Sequence, residues 1–310
     1  MKSTPYRILA LDVDGTLLDP NGALRPRTAE AVARALQAGI RAVLCTGRRY
    51  RRARPIARLL GLNAPLVCNS GAIIKDPSDH RTIWRADFDE ELAAAVLGFF
   101  RRENQQPVVF TDRHPDQPDF VVSEFPTGQP YFDEYVAQNR EYADINPAIL
   151  AGDLPELDRE TGNSGIRSTK SEQENPKKAS RGSDALFHVC AIGERSDMLT
   201  FQRIARDRIG DRIQTFVQRS PLYLGTMCEI LRQDASKWSA ILRLARLWGI
   251  DPGEVCAVGD DVNDIPMLKN AGLGVAMGHA SRDVLEAADL VTGDHDQDGV
   301  AMLVDDILLA

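Results

Sequence analysis

The chain is poor in the residue types that would tie it to a membrane, an oxidising compartment or a nucleic acid. No apolar run in its 310 residues comes near the roughly 20 residues that a membrane-spanning helix needs. The first residues lack the charged, apolar and small-residue zones of a secretory leader. Cysteine is scarce: Cys45, Cys68, Cys190, Cys228 and Cys256 are odd in number and contain no C-x-x-C pair, so reduced thiols packed as small hydrophobes are expected. The five histidines form no cluster with cysteine that would suggest zinc. Positive charge is in deficit, 37 Lys and Arg against 45 Asp and Glu for a net −8, which argues against a protein that grips nucleic acid through its overall field. The expected setting is cytoplasmic, with neither membrane nor nucleic acid as a partner.

What remains suits a large enzyme. The 43% hydrophobic content supplies material for two cores, and the length exceeds what one core supports. Strand and helix patterns alternate at the start. The apolar run at 8–11 is followed by Ala29, Val32, Ala33 and Leu36, which share one helix face that closes at Gly39. A strand over 40–45, a helix ending near 59–61 and a strand over 65–68 follow. The scheme resumes with a helix over 236–248, a strand over 254–258, a helix over 266–271 and strands over 274–276 and 289–291. Parallel strands joined by helices predict an α/β fold whose doubly wound, Rossmann-like sheet is drawn from both ends of the chain. Between residues 86 and 222 the spacing predicts a helix over 90–102, strands over 107–111, 120–123 and 185–193, and a helix over 196–209, together an inserted α/β domain. The expected division is 1–85 with 223–310, and 86–222. Within the insertion, residues 159–184 are Ser, Gly, Lys, Glu, Asn and Arg with almost no large apolar side chain. Such a segment cannot bury enough surface to offset its ordering entropy, so a flexible insert is expected there.

Two strand ends carry the chemistry. The first runs Asp12-Val13-Asp14-Gly15-Thr16-Leu17; alternation along a strand puts Asp12 and Asp14 on one side, and Gly15 allows a sharp turn beside them. Carboxylates so placed can hold a metal, attack an electrophile or move a proton, and open α/β sheets bind ligands at the carboxyl ends of their strands. An ordinary Asp-Gly turn is the plainer alternative. The second end, Gly259-Asp260-Asp261-Val262-Asn263-Asp264, repeats the pattern far along the chain. Thr46-Gly47-Arg48 ends another strand, and Lys237 opens an amphipathic helix.

These four segments, in this order, resemble the haloacid dehalogenase-like phosphohydrolases, most closely the Cof-type branch, whose cap domain lies between the Thr and Lys motifs. The resemblance implies that Asp12 attacks phosphorus to form an aspartyl-phosphate, while Asp14 protonates the leaving oxygen and then activates water. It implies that Thr46 gives its hydroxyl to a phosphoryl oxygen and that Lys237 places a charge between that oxygen and the nucleophile. Implied metal ligands are Asp12, the carbonyl of Asp14 and Asp260, with Asn263 and Asp264 close by; Asp261 points away or braces the loop. Gly15, Thr46, Gly47, Arg48, Lys237 and Asn263 are the candidate substrate contacts. Unit charges about 4 Å apart repel by roughly 4 kcal/mol at an effective dielectric of about 20, so several acids and a phosphate in one space require a cation, and an all-oxygen set with room for water suits Mg2+.

Other readings stay open. Arg48 either clamps the substrate or belongs, with Arg49, Arg51, Arg52 and Arg54, to a solvated helix face. Asn263 or Asp264 could simply cap the helix ahead of Pro266. Asn69-Ser70-Gly71-Ala72 is similar to the family's Asn-Gly-Ala turn but carries Ser70 as an apparent insertion, which leaves a substrate role for Asn69 open. Asp294, Asp296, Asp298, Gly299 and Asp305 imitate a calcium loop, yet a strand precedes them and Asp stands where a bidentate Glu belongs; a closing loop is the expectation. The function implied is a Mg2+-dependent phosphatase of a small phosphorylated metabolite, with sugar phosphates the first expectation, acting as a monomer or homodimer. A phosphomutase and a non-catalytic sensor of phosphorylated metabolites are the alternatives.

Overall fold

The computed structural model describes residues 4–151, 185–219 and 222–310; the insert expected over 159–184 lies outside the described residues. The chain begins with β1 (Ile8–Leu11), α1 (Pro26–Gln37), β2 (Arg41–Leu44) and α2 (Tyr50–Leu59), then three short strands, β3 (Leu66–Cys68), β4 (Ile73–Lys75) and β5 (Thr82–Arg85). Next come α3 (Glu90–Arg102), β6 (Val108–Phe110), β7 (Phe120–Val122), α4 (Pro130–Gln138), β8 (Ala143–Ile145) and α5 (Ala148–Ala151). Beyond the insert run β9 (His188–Gly193), α6 (Arg195–Ile209), β10 (Ile213–Arg219) and β11 (Thr226–Arg232). The last third holds α7 (Lys237–Trp248), β12 (Val255–Gly259), α8 (Ile265–Asn270), β13 (Leu273–Ala276), α9 (Arg282–Leu285), β14 (Leu290–Val291) and α10 (Gly299–Leu303).

The expected parallel core is present, as a five-stranded sheet in the order β14-β13-β12-β1-β2. Its central strands are buried throughout because helices cover both faces. β1 pairs with β2 on one side and with β12 on the other, so the strand order reverses at β1, and a crevice opens at that switch point. β3 departs from expectation. It pairs antiparallel with β4 and joins the main sheet only through one parallel bridge, Cys45 to Val67. Three residues are too few to propagate the ladder before the chain turns at Asn69.

A second sheet has the order β10-β11-β9-β6-β7-β8, antiparallel except for β7 and β8. Alternation divides its side chains. Val189, Ala191, Cys228 and Ile230 pack under α3 and α6 with Phe99, Phe100 and Phe201, while Cys190, Ile192, Phe110 and Leu231 face the core sheet. β11 belongs to this sheet, so the sheet extends beyond residue 222, where the sequence division ended the insertion. The sequence reading assigned neither β10 nor β11, because burial on both faces blurs the period-2 signal and Glu229 interrupts an apolar run. No helix among the described residues is long and apolar enough to cross a membrane, and all five cysteines are buried and free.

Candidate active site

Strand register brings the two acidic ends together. Leu11 stands opposite Val258, and the Asp12 N–H donates to the Val258 carbonyl at 3.0 Å, so Asp12 and Asp260 leave adjacent strands side by side. Lys237 arrives from α7, whose start is fixed by a capping box between Ser236 and Ser239. That start is also wedged from below. Gly71, at φ 95°, lies so close that a Cβ there would sit 2.1 Å from the Ser236 carbonyl. The lysine is 1% exposed, and its Nζ stands 2.7 Å from Asp12 Oδ1 and 2.6 Å from Asp264 Oδ1.

The other oxygen of Asp264 accepts the backbone N–H groups of Asp260 and Asp261, at 3.0 and 3.1 Å. This side chain folds the acidic loop around itself. Asp264 occupies the cap position of α8 without making a side-chain cap, and Asn263 does not cap either; the capping alternative is overturned because the carboxylate is spent on Lys237 and the loop. Asp261 lines the pocket, and its Oδ1 accepts the N–H of Val262.

Asp260 is held by Thr16, whose hydroxyl donates to Oδ1 at 2.7 Å, and by Gly15. At φ 78° a Cβ on Gly15 would fall 2.2 Å from Asp260 Oδ2, so this position must lack one. Asp12, Asp260 and Asp264 each offer an oxygen within 4.8 Å of the others, the donor set of a hard cation such as Mg2+. The electrostatics agree. Burial pushes Asp12 up, Lys237 opposes this, and Asp264 and Asp260 add to it; burial likewise raises Asp264 to about 6 against Lys237. Burial disfavours the charged lysine, but Asp12 and Asp264 outweigh it and hold Lys237 above its ordinary range. The acids remain short of positive charge, and a bound divalent ion would supply it.

Arg48 grips Asp14 with Nε and a terminal nitrogen at 2.7 and 2.6 Å, and Thr46, 1% exposed, accepts the Arg48 N–H on its Oγ1. The solvated-face reading of the arginine run is corrected. Arg49 is buried between Asp119 and Asn139 with its plane over Phe120, and Arg51 lies over Tyr142 beside Asp119. These arginines face the second sheet because it covers α2. The calcium imitation is likewise resolved: Asp298 pairs with Arg25 and Thr28, and Asp305 with Arg34, so the loop closes onto α1. Asn69 contacts His188, with Nδ2 to Nδ1 at 3.0 Å.

The structure brings the expected substrate contacts together with residues that gave no sequence signal. Gly15, Gly47, Arg48 and Asn263 line one cavity of about 410 Å3 together with Tyr223 and Glu229 of the second sheet's side. Glu229 is 2% exposed; burial raises it to about 7, opposed by Ser70, Lys237 and Gln218. His279 and His295 stack at 4.2 Å beside Asp260. Tyr223, Glu229 and His279 lie in no motif, and only the tertiary fold brings them to the site.

Residues 9–304 match the model of the haloacid dehalogenase-like hydrolases. The chain is 28% identical to the pyridoxal phosphate phosphatase YbhA of Escherichia coli, over 96% of this chain and 97% of that protein. It is 26% identical to the 5-amino-6-(5-phospho-D-ribitylamino)uracil phosphatase YwtE of Bacillus subtilis, over 97% and 98%. A haloacid dehalogenase-like hydrolase from Bacteroides thetaiotaomicron shares the fold with a TM-score of 0.71 at 22% identity, over 97% of this chain and 99% of that one. With the acids, the threonine and the lysine gathered at one strand switch point, and the match running nearly end to end, the chain belongs to the haloacid dehalogenase-like hydrolase family.

Proposed function

We propose that the enzyme, a phosphatase of this family, hydrolyses a small phosphorylated metabolite through an aspartyl-phosphate on Asp12. A carboxylate oxygen of Asp12 bonds to phosphorus while the bond to the leaving oxygen breaks, and Asp14 gives that oxygen its proton. Asp14 then takes a proton from the water that cleaves the acyl phosphate, releasing phosphate and restoring Asp12. Thr46 and Lys237 bind phosphoryl oxygens, and Arg48 passes between Asp14 and the substrate. Mg2+ held by Asp12, Asp260 and the Asp14 carbonyl would neutralise phosphoryl charge; Asp264 serves as the brace between Lys237 and the loop. The second sheet with α3 and α6 acts as a cap that excludes water and selects the leaving group. The 410 Å3 cavity suits one sugar or one heterocycle. Sugar phosphates are the first class to screen, with pyridoxal phosphate and ribitylaminouracil phosphates beside them because two relatives bear those names.

The observation that carries this reading is Lys237 bridging Asp12 and Asp264 beside Asp260. Asp12→Asn is expected to abolish phosphate release from an aryl phosphate with circular dichroism and thermal midpoint preserved; retained turnover removes Asp12 as nucleophile. Isotope-labelled water entering the released phosphate separates hydrolysis from transfer to a sugar acceptor.

A further inference from the structure

We infer that Ser70 and Glu229 are positioning residues that fix which end of the Asn263 amide is offered to the acid cluster. The inference rests on the proposed metal-dependent reading. Ser70 Oγ stands 2.6 Å from Glu229 Oε2, and Asn263 Nδ2 stands 3.1 Å from Ser70 Oγ. In its ionised form Glu229 accepts and does not donate, so the serine proton goes to it. The serine oxygen is then left to accept, and it can accept only from the NH2 end of Asn263. The amide is thereby locked with its carbonyl turned away from Ser70. That carbonyl oxygen, Oδ1, is buried and has no partner, on a residue 3% exposed that lines the cavity and sits within the acidic loop.

Nearby, Asn69 Nδ2 meets His188 Nδ1 at 3.0 Å, and His188 Nε2 stands 3.5 Å from Glu229 Oε1 with no hydrogen bond between them. Alternation along β11 puts Glu229 on the face that looks at the core sheet, between Met227 and Leu231. The backbone is strained to complete the relay: Asn69 and Ser70 have φ 50° and 53°, left-handed values that non-glycine residues rarely adopt. The unused Asn263 carbonyl would be available to a hydrated Mg2+ held beside Asp260, and partners one step behind a metal site set the orientation of the groups in front of them.

The test is Mn2+ titration of the substrate-free, full-length protein by calorimetry, with melting recorded for each variant. Ser70→Gly removes the hydroxyl while relaxing the left-handed backbone, so it is expected to fold and to weaken Mn2+ binding about tenfold or more. Glu229→Leu is expected to do the same, whereas Glu229→Gln keeps an acceptor for Ser70 and retains near wild-type affinity. Equal affinity in wild type and Ser70→Gly overturns the inference while leaving the metal reading intact. Loss of affinity in Glu229→Gln equal to that in Glu229→Leu also overturns it, because the carboxylate charge and not the direction of the relay would then be at work. A wild type that binds no Mn2+ overturns the metal reading itself and the inference with it.

Discussion

The guanidinium of Arg48 holds both carboxylate oxygens of Asp14, at 2.7 and 2.6 Å, 34 residues apart in sequence. The fork engages both oxygens of Asp14, so under the proposed mechanism a substrate has to draw Arg48 away before Asp14 can protonate its leaving oxygen. Planarity matters here, because an ammonium cannot bind both oxygens and then swing as a unit onto a phosphate. Arg48→Lys is therefore expected to lower kcat/KM about 10- to 100-fold, the worth of one or two charge-assisted hydrogen bonds. Steady-state kinetics on the best substrate checks this; a change below twofold assigns Arg48 a structural role.

Lys237 pairs with two buried acids, Asp12 and Asp264. Lys237→Met leaves Asp12 and Asp264 buried without their partner, at a cost of about 3 to 5 kcal/mol at neutral pH. The double variant Lys237→Met with Asp264→Asn, which removes one buried charge and keeps an acceptor for the Asp260 and Asp261 N–H groups, is expected to recover part of that stability and none of the activity. Denaturation midpoints and phosphate release, measured on the same samples, separate the two effects.

Glu229 makes stability depend on pH with an unusual sign. Burial raises it from 4.5 to about 7, so the folded protein holds this proton more tightly than the unfolded chain does. Stability from this group is greatest below pH 4.5, falls as pH rises toward 7 and is level above that, a span of roughly 3 kcal/mol. Glu229→Gln removes the titration. The stability difference between variant and wild type is expected to grow in favour of the variant from pH 4.5 to 7, and a constant difference would refute the assignment.

Gly15 leaves no room beside Asp260. Gly15→Ala places a methyl group where Asp260 Oδ2 now sits and forces alanine to φ 78°. The variant is expected to fold, to lose divalent-ion binding in calorimetry and to retain less than about 1% of activity, a loss of roughly 3 kcal/mol in the transition state.

Much of the core was legible before folding. The strand ends at Asp12 and Asp260, the strand-terminal Thr46 and the helix-opening Lys237 each combine a local pattern with a reactive side chain, and local pattern survives in one dimension. The relay through Ser70 and Glu229 was not legible. Ser70 stands out in the sequence only as an irregularity in a turn, and Glu229 carries no local signal at all, since neither has a neighbour in sequence that explains it. The arginines after Arg48 read as solvated for the same reason: the sheet that buries them begins more than 50 residues later.

By itself, then, the sequence determined the alternating architecture, the placement of the acids at strand ends and the chemistry they can perform, because periodicity and residue type act over a few residues. The tertiary structure alone decided that Asp264 braces the loop, that Arg48 pairs with Asp14, and that the second sheet brings the buried carboxylate of Glu229 to Ser70, next to Asn263. Those outcomes depend on hydrogen-bond direction and desolvation, which exist only once segments hundreds of residues apart share one unhydrated space.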